Sequence, residues 1–168
     1  MKRLIFLRHA KSSWDYPLLE DFERPLNERG RADAPVMAQL MKENNLKPSL
    51  IISSFANRAA ATAVTIARGI GYHEENIIFE ALIYFGHSDD IITFLSSESN
   101  TYETLMIVGH NPELTICVNK LCGEGVDDIP TCGIVVLESE INNWNETDTA
   151  EWKLVLFDSA KKYRNRQK

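Results

Sequence analysis

The sequence predicts an α/β protein: a three-layer α/β/α sandwich with a mostly parallel central sheet and an antiparallel strand pair towards its C-terminal end. Three observations carry that expectation. Short apolar runs at residues 4–7, 50–52 and 104–108 have the near-continuous hydrophobicity of strands buried on both faces. Helical periodicity fills the intervals, which implies right-handed βαβ units with helices on both sides of the sheet. The last third changes character: residues 133–138 and 151–157 read as strands about the turn-rich stretch 142–148, an antiparallel hairpin-like pair.

The elements follow in order. After the first strand, residues 14–25 lack periodicity and carry two prolines, so they read as a loop over the mouth of a site. Asn27 can cap a first helical turn ending near Gly30 and Arg31. Pro35 is tolerated near a helix start, which places the main helix from about Asp33 as N-cap, with Val36, Met37, Leu40 and Met41 at helical spacing. Pro48 leads into the second strand, and Asn57 is the expected cap of an Ala-rich helix over residues 58–68. Gly69 and Gly71 end it. Residues 77–79 suggest a short strand, residues 89–95 a short helix, and residues 96–101 a loop before the third main strand. Gly109-His110-Asn111-Pro112 is a tight turn with Pro112 suited to the first turn of a helix reaching about Leu121, and residues 123–128 form a further loop.

The 168 residues suit one domain, assigned to residues 1–160, with residues 161–168 as a basic C-terminal tail, solvated and frayed. Hydrophobic content of 44% and charged content of 25% fit a globular chain, and a formal net charge of −6 argues against a nucleic-acid partner. No stretch approaches a membrane span, and the apolar run after Lys2-Arg3 stops at Leu7, too short for a secretion signal. Cys117, Cys122 and Cys132 form neither a disulfide set nor a zinc-ligand pattern, so buried free thiols in a reducing cytoplasm are expected.

Against that acidic background the first strand ends in Arg8-His9-Ala10-Lys11-Ser12-Ser13, a cationic cluster without an acid. Open α/β sheets place ligands at the carboxyl ends of their strands. The second strand leads to Arg58 in the first turn of a helix, where backbone amides also face an incoming anion, and the third leads to His110. These endings, together with Arg24-Pro25-Leu26-Asn27-Glu28-Arg29-Gly30, resemble the histidine phosphatase superfamily. Its Arg-His-Gly signature stands here as Arg8-His9-Ala10, and the short chain looks most like the SixA-type phosphohistidine phosphatases. The resemblance spans roughly residues 1–125.

That resemblance implies a phosphoglycerate mutase-like fold and a reaction through a phosphohistidine intermediate on His9. Arg8 and Arg58 would clamp the phosphoryl oxygens and His110 would donate to them. No metal or other cofactor is expected, because two guanidiniums and an imidazole can neutralise the transferred group. Lys11, Ser12 and His87 are candidate substrate contacts. Mutase-like branches place an acid shortly after the equivalent of Leu82, but here the run is Leu82-Ile83-Tyr84-Phe85-Gly86. Without a strong proton donor, a P–N bond to imidazole is easier to break than a P–O bond to an alkoxide, so phosphohistidine on a protein is the expected substrate. A small phosphate ester substrate, or a phosphoprotein-binding module without turnover, are the alternatives.

Overall fold

The computed structural model describes residues 1–123 and 125–164; Glu124, in the expected 123–128 loop, and residues 165–168 of the expected tail lie outside it. The elements are β1 Lys2–Arg8, α1 Glu28–Glu43, β2 Leu50–Ser53, α2 Asn57–Ile70, β3 Ile78–Phe79, α3 Leu82–Phe85, α4 Ser88–Ser96, β4 Thr104–Gly109, α5 Glu113–Cys122, β5 Gly133–Ser139, β6 Lys153–Ser159 and α6 Lys161–Arg164. They form one sheet in the order β3-β2-β4-β1-β5-β6. Strands β3, β2, β4 and β1 pair in parallel, β5 runs antiparallel to β1, and β6 antiparallel to β5.

Period-two alternation along β1 divides the interior into two layers. Ile5 and Leu7 face Met37 and Met41 of α1 and Ala63 and Ile66 of α2. Leu4 and Phe6 face Ile91 and Leu95 of α4, Leu114 and Val118 of α5, and Trp144. All four β1 residues are fully buried, as an apolar run with helices on both faces requires. The three-layer architecture and the antiparallel C-terminal pair are those expected from the sequence. Small residues bring the helices together. A side chain on Gly69 of α2 would strike Ala38 of α1, and one on Gly30 would strike the Lys11 carbonyl.

Several local expectations are corrected. Residues 28–43 form one helix capped by Asn27, whose Oδ1 accepts from the Gly30 amide at 2.9 Å, rather than a turn followed by a helix from Asp33. Pro35 is tolerated inside because it lies on the solvent face with Arg31, whose carbonyl it leaves without an intrahelical partner, while the apolar stripe continues past it. Asp33 is not a cap but a buried acid, bonded to Arg164 Nε and Nη2 at 3.0 and 2.9 Å. Residues 161–164 are therefore a docked helical turn, not a frayed end. Asn57 is the first residue of α2 rather than its cap, a position that Ala56 takes, and its side-chain Nδ2 donates to Glu23 O at 2.8 Å.

Cys117 and Cys132 are buried, and burial pushes both thiols up to about 12, whereas Cys122 is half-buried. Among the described residues no helix is long and apolar enough to cross a membrane.

Candidate active site

Because β2, β4 and β1 are parallel neighbours, their carboxyl ends open on one rim, and the chain leaves each with a cationic or imidazole side chain. Arg8 is the last residue of β1, His9 follows it, His110 follows β4, and Arg58 is the second residue of α2 after β2. Arg8, His9 and Arg58 line a cavity of about 180 Å³ with Lys11, Ser12, Trp14, Arg24 and Thr131. His110 stands behind, its ring centroid 5.0 Å from that of His9. The four residues expected to converge do so.

His9 is locked by its surroundings. Its amide donates to Gly109 O at 3.0 Å, and the next amide, Ala10 N, donates to Thr62 Oγ1 at 3.0 Å. Ring Nδ1 lies 2.8 Å from Ala10 O, and a carbonyl can only accept, so Nδ1 carries the proton and Nε2 keeps its lone pair. Burial lowers the imidazole pKa to about 4; the Ala10 carbonyl pulls it upward, and the charges of Arg58, Arg8 and Arg24 push it down further. The ring is thus a neutral base of fixed tautomer at pH 7. His110 is lowered further, to about 3, by burial and then by His9 and Arg58. Its Nε2 is 2.8 Å from Ser54 Oγ.

Among the described residues, two buried side-chain nitrogens lack a hydrogen-bond partner: Arg8 Nε and His110 Nδ1. Both belong to this rim. Buried polar groups are rarely left unpaired in native folds, and a pair of them beside one cavity marks a place built to receive acceptor oxygens. Arg8 is otherwise fastened through Nη1 to Ile129 O at 2.8 Å.

Loop 14–25 supplies residues the sequence did not single out. Its neck is closed by the Ser12–Leu26 bridge and by Ser13 N donating to Pro25 O at 2.8 Å. Arg24, buried, donates through Nε to Ser13 O at 3.0 Å and through Nη2 to Ser12 Oγ at 2.5 Å, and its guanidinium lies 3.3 Å over the Trp14 ring. Asp21 accepts from Arg24 Nη1 at 2.9 Å, Arg58 Nη2 at 2.9 Å and the Tyr84 hydroxyl at 2.8 Å. Burial would raise its carboxyl, but the bonds from Tyr84, Arg58 and Arg24 outweigh that and bring it down to about 2. Tyr84 is raised in turn, by burial and by the carboxylate it serves. Arg24 was visible in the Arg-Pro-Leu-Asn motif, and Tyr84 in the run after Leu82. Asp21 had no local signal, since only the folded loop brings it to Arg58.

Of the remaining candidates, Lys11 and Ser12 reach the cavity wall, but the fold does not bring His87 there. Its side chain is 85% exposed at the cap of α4, with Nδ1 3.5 Å from Glu113 Oε1. Lying next to an acid in solvent, it is placed by the α4–α5 contact and not by the phosphate site. A larger cavity of about 410 Å³ beside β5 and β6 is lined by Glu138, Glu140, Glu146 and Glu151, whose charges would repel a phosphoryl group. Among the described residues no group of three His, Cys, Asp or Glu is placed to hold a metal ion.

A family model of the histidine phosphatase superfamily (branch 1) matches residues 4–84. An uncharacterized chloroplastic protein of Arabidopsis thaliana is 33% identical over 165 residues, covering 91% of this chain and 75% of the relative. A crystal structure from Agrobacterium tumefaciens, assigned as that of a phosphohistidine phosphatase SixA, superposes with a TM-score of 0.80 at 29% identity, over 94% of this chain and 97% of that one. A protein histidine phosphatase SixA complexed with tungstate shares the fold at a TM-score of 0.83 and 17% identity, over 96% and 99% of the two chains.

Proposed function

The chain belongs to the histidine phosphatase superfamily, and from that premise we propose that it removes phosphate from phosphohistidine on a protein, with His9 as the nucleophile. It is a phosphatase of that superfamily; the substrate and the roles of the residues are our reading.

The observation that carries the reading is the bond from His9 Nδ1 to Ala10 O, which leaves Nε2 unprotonated beside Arg8, Arg58 and Arg24. Nε2 attacks phosphorus while the guanidiniums hold the phosphoryl oxygens in charge-assisted, bidentate fashion. His110, with its unpartnered Nδ1, donates to the same oxygens as charge moves in the transition state. The Nδ1–H of His9 stabilises the resulting phospho-imidazolium, and water then releases inorganic phosphate. Lys11 and Ser12, on the cavity wall, meet the substrate backbone or its phosphate. Phosphoryl transfer needs positioning and charge neutralisation more than covalent assistance, and three arginines supply both without a metal. The phosphohistidine assignment rests on leaving-group chemistry: Tyr84 stands where an acid would be needed for an alkoxide, and Asp21 beside it is ionised.

Mixing with ³²P-labelled phosphohistidine protein, followed by a denaturing alkaline quench that preserves P–N bonds, tests the proposal. Label is expected on His9 of the wild type and on no residue of His9→Ala, with turnover unchanged by EDTA. Retention of the phosphoprotein without a covalent phosphoenzyme would mean a binding module, and faster turnover of an alkyl phosphate would mean a small-molecule phosphatase.

A further inference from the structure

Asp21 puts a negative charge at the edge of a site otherwise assembled for anions. A carboxylate offers about four acceptor positions. Among the described residues Oδ2 takes two donors, Arg58 Nη2 and the Tyr84 hydroxyl, while Oδ1 takes one, Arg24 Nη1. One position on Oδ1 therefore stays open, on a side chain that is half exposed. A strut for Arg58 would need neither the open position nor the exposure. Next to it stand aromatic rings packed edge-to-face or tilted: Tyr84 lies 5.2 Å from Phe55, 4.8 Å from Phe85, 6.5 Å from Phe22 and 5.4 Å from His110, centroid to centroid. Phe85 is largely exposed. A free anionic acceptor beside aromatic faces suits a planar, cationic, N–H-bearing ring.

We infer that Asp21 is a specificity-determining contact for the leaving group: it accepts the N–H of the unphosphorylated ring nitrogen of the substrate histidine and holds that imidazole as a cation beside Tyr84 and Phe85. The inference rests on the phosphohistidine reading above and explains how the site would favour it. The lone pair of His9 Nε2 forms the new N–P bond as the substrate P–N bond breaks, and that bond's electron pair returns to the substrate nitrogen. Because the other ring nitrogen already bears a proton, the ring departs as neutral imidazole and the enzyme donates none. The phosphoenzyme mirrors the substrate, a phospho-imidazolium whose distal N–H is held by Ala10 O instead of Asp21. Water then forms the P–O bond, the N–P pair returns to His9, and both water protons leave with the phosphate as dihydrogen phosphate. An alkoxide leaving group gains nothing from Asp21, which has no proton to give and repels developing negative charge.

The charged and titratable groups facing Asp21 are Arg24, Arg58, Tyr84 and His110; losing the carboxylate removes an upward pull on Tyr84 and His110 that acts on both substrates equally. The test compares kcat/KM for a phosphohistidine peptide and for 4-nitrophenyl phosphate, whose leaving group needs no proton, in wild type, Asp21→Asn and Asp21→Glu. Asp21→Asn is expected to lower the phosphohistidine reaction about 10–100-fold, the worth of one charged hydrogen bond, and to move its alkaline limb to lower pH. Loosening of Arg24 and Arg58, which Asp21 also braces, lowers both reactions alike, so the aryl phosphate reaction should lose at least about tenfold less than the phosphohistidine reaction in the same variant. Asp21→Glu should recover part of the lost activity. Equal losses on both substrates, or an unchanged phosphohistidine rate, would overturn the inference and leave the proposed function standing. A wild-type enzyme that hydrolyses the aryl phosphate but not the phosphohistidine peptide would overturn both.

Discussion

Strand β1 holds a cation at each end, Lys2 buried and Arg8 half-buried, and the two are treated in opposite ways. At the start, Lys2 is 2% exposed and saturated: Nζ donates to Asn100 O and Tyr102 O, both at 2.8 Å, meets Glu103 Oε1 at 3.4 Å, and lies 5.4 Å over the Trp144 ring. At the other end Arg8 keeps Nε buried and unpartnered, beside a neutral His9 and a His110 in the same condition. One seven-residue strand thus carries a charge that serves stability at its start and a charge left open to a ligand at its end. Their difference in exposure does not by itself define the two roles. The count of satisfied donors does.

Perturbing the two ends should give opposite profiles. The largest effect belongs to His9→Ala, which should reduce turnover to background while the thermal midpoint stays near that of wild type; comparable activity in that variant would break the assignment of this end as catalytic. Arg8→Ala should cost about 10²–10³ in kcat, the usual worth of one preorganised donor to a phosphoryl or oxyanion group, with little change in urea stability. Acid should weaken the fold through the same end. Unfolded histidine binds its proton near pH 6.5, whereas folded His9 and His110 stay neutral down to about 4 and 3. Stability therefore falls as pH drops from 6.5 through those values, on the order of 3 kcal/mol for His9, and His9→Asn should flatten the dependence measured by urea titration at several pH values.

The stabilising end responds the other way. Lys2→Met should cost about 1–3 kcal/mol of unfolding free energy, because two carbonyls lose their donor, yet leave kcat/KM unchanged. The smallest effect is expected for Arg164→Ala, which removes one of two arginines from buried Asp33; Arg29 remains at 3.5 Å, so a loss of about 1 kcal/mol without an activity change is expected in the same titration. An activity loss in Lys2→Met would erase the distinction between the two ends.

What was legible in the sequence follows the range of the interactions. Strands β1, β2 and β4 announce themselves because strands covered on both faces must be apolar along their whole length, and the residues that follow them mark the rim where Arg8, His9, Arg58 and His110 meet. Asp33 was misread because its partner, Arg164, lies 131 residues away and leaves no local trace. Pro35 was taken as a boundary, but its side of α1 faces water, which satisfies the carbonyl it frees. Asp21 and Tyr84 belong to a loop and a four-residue helix without periodicity, and their pairing exists only across 63 residues of chain. His87 was overvalued for its residue type, since its place at the cap of α4 gives it solvent and Glu113 as company.

The position of β1 in the sheet also sets an order of events. Its neighbours are β4, in register from Thr104, and β5, in register up to Ser139, while the Cys132 amide closes on the carbonyls of both Arg8 and His9. The residues that wall His9 in, from β4 and from the Cys132 end of β5, lie far along the chain from it, so its surroundings close only through long-range pairing. Long-range closure of this kind is slow relative to local helix formation, so the fixed tautomer and lowered basicity of His9 are late products of folding, and a partly folded chain carries it as an ordinary histidine.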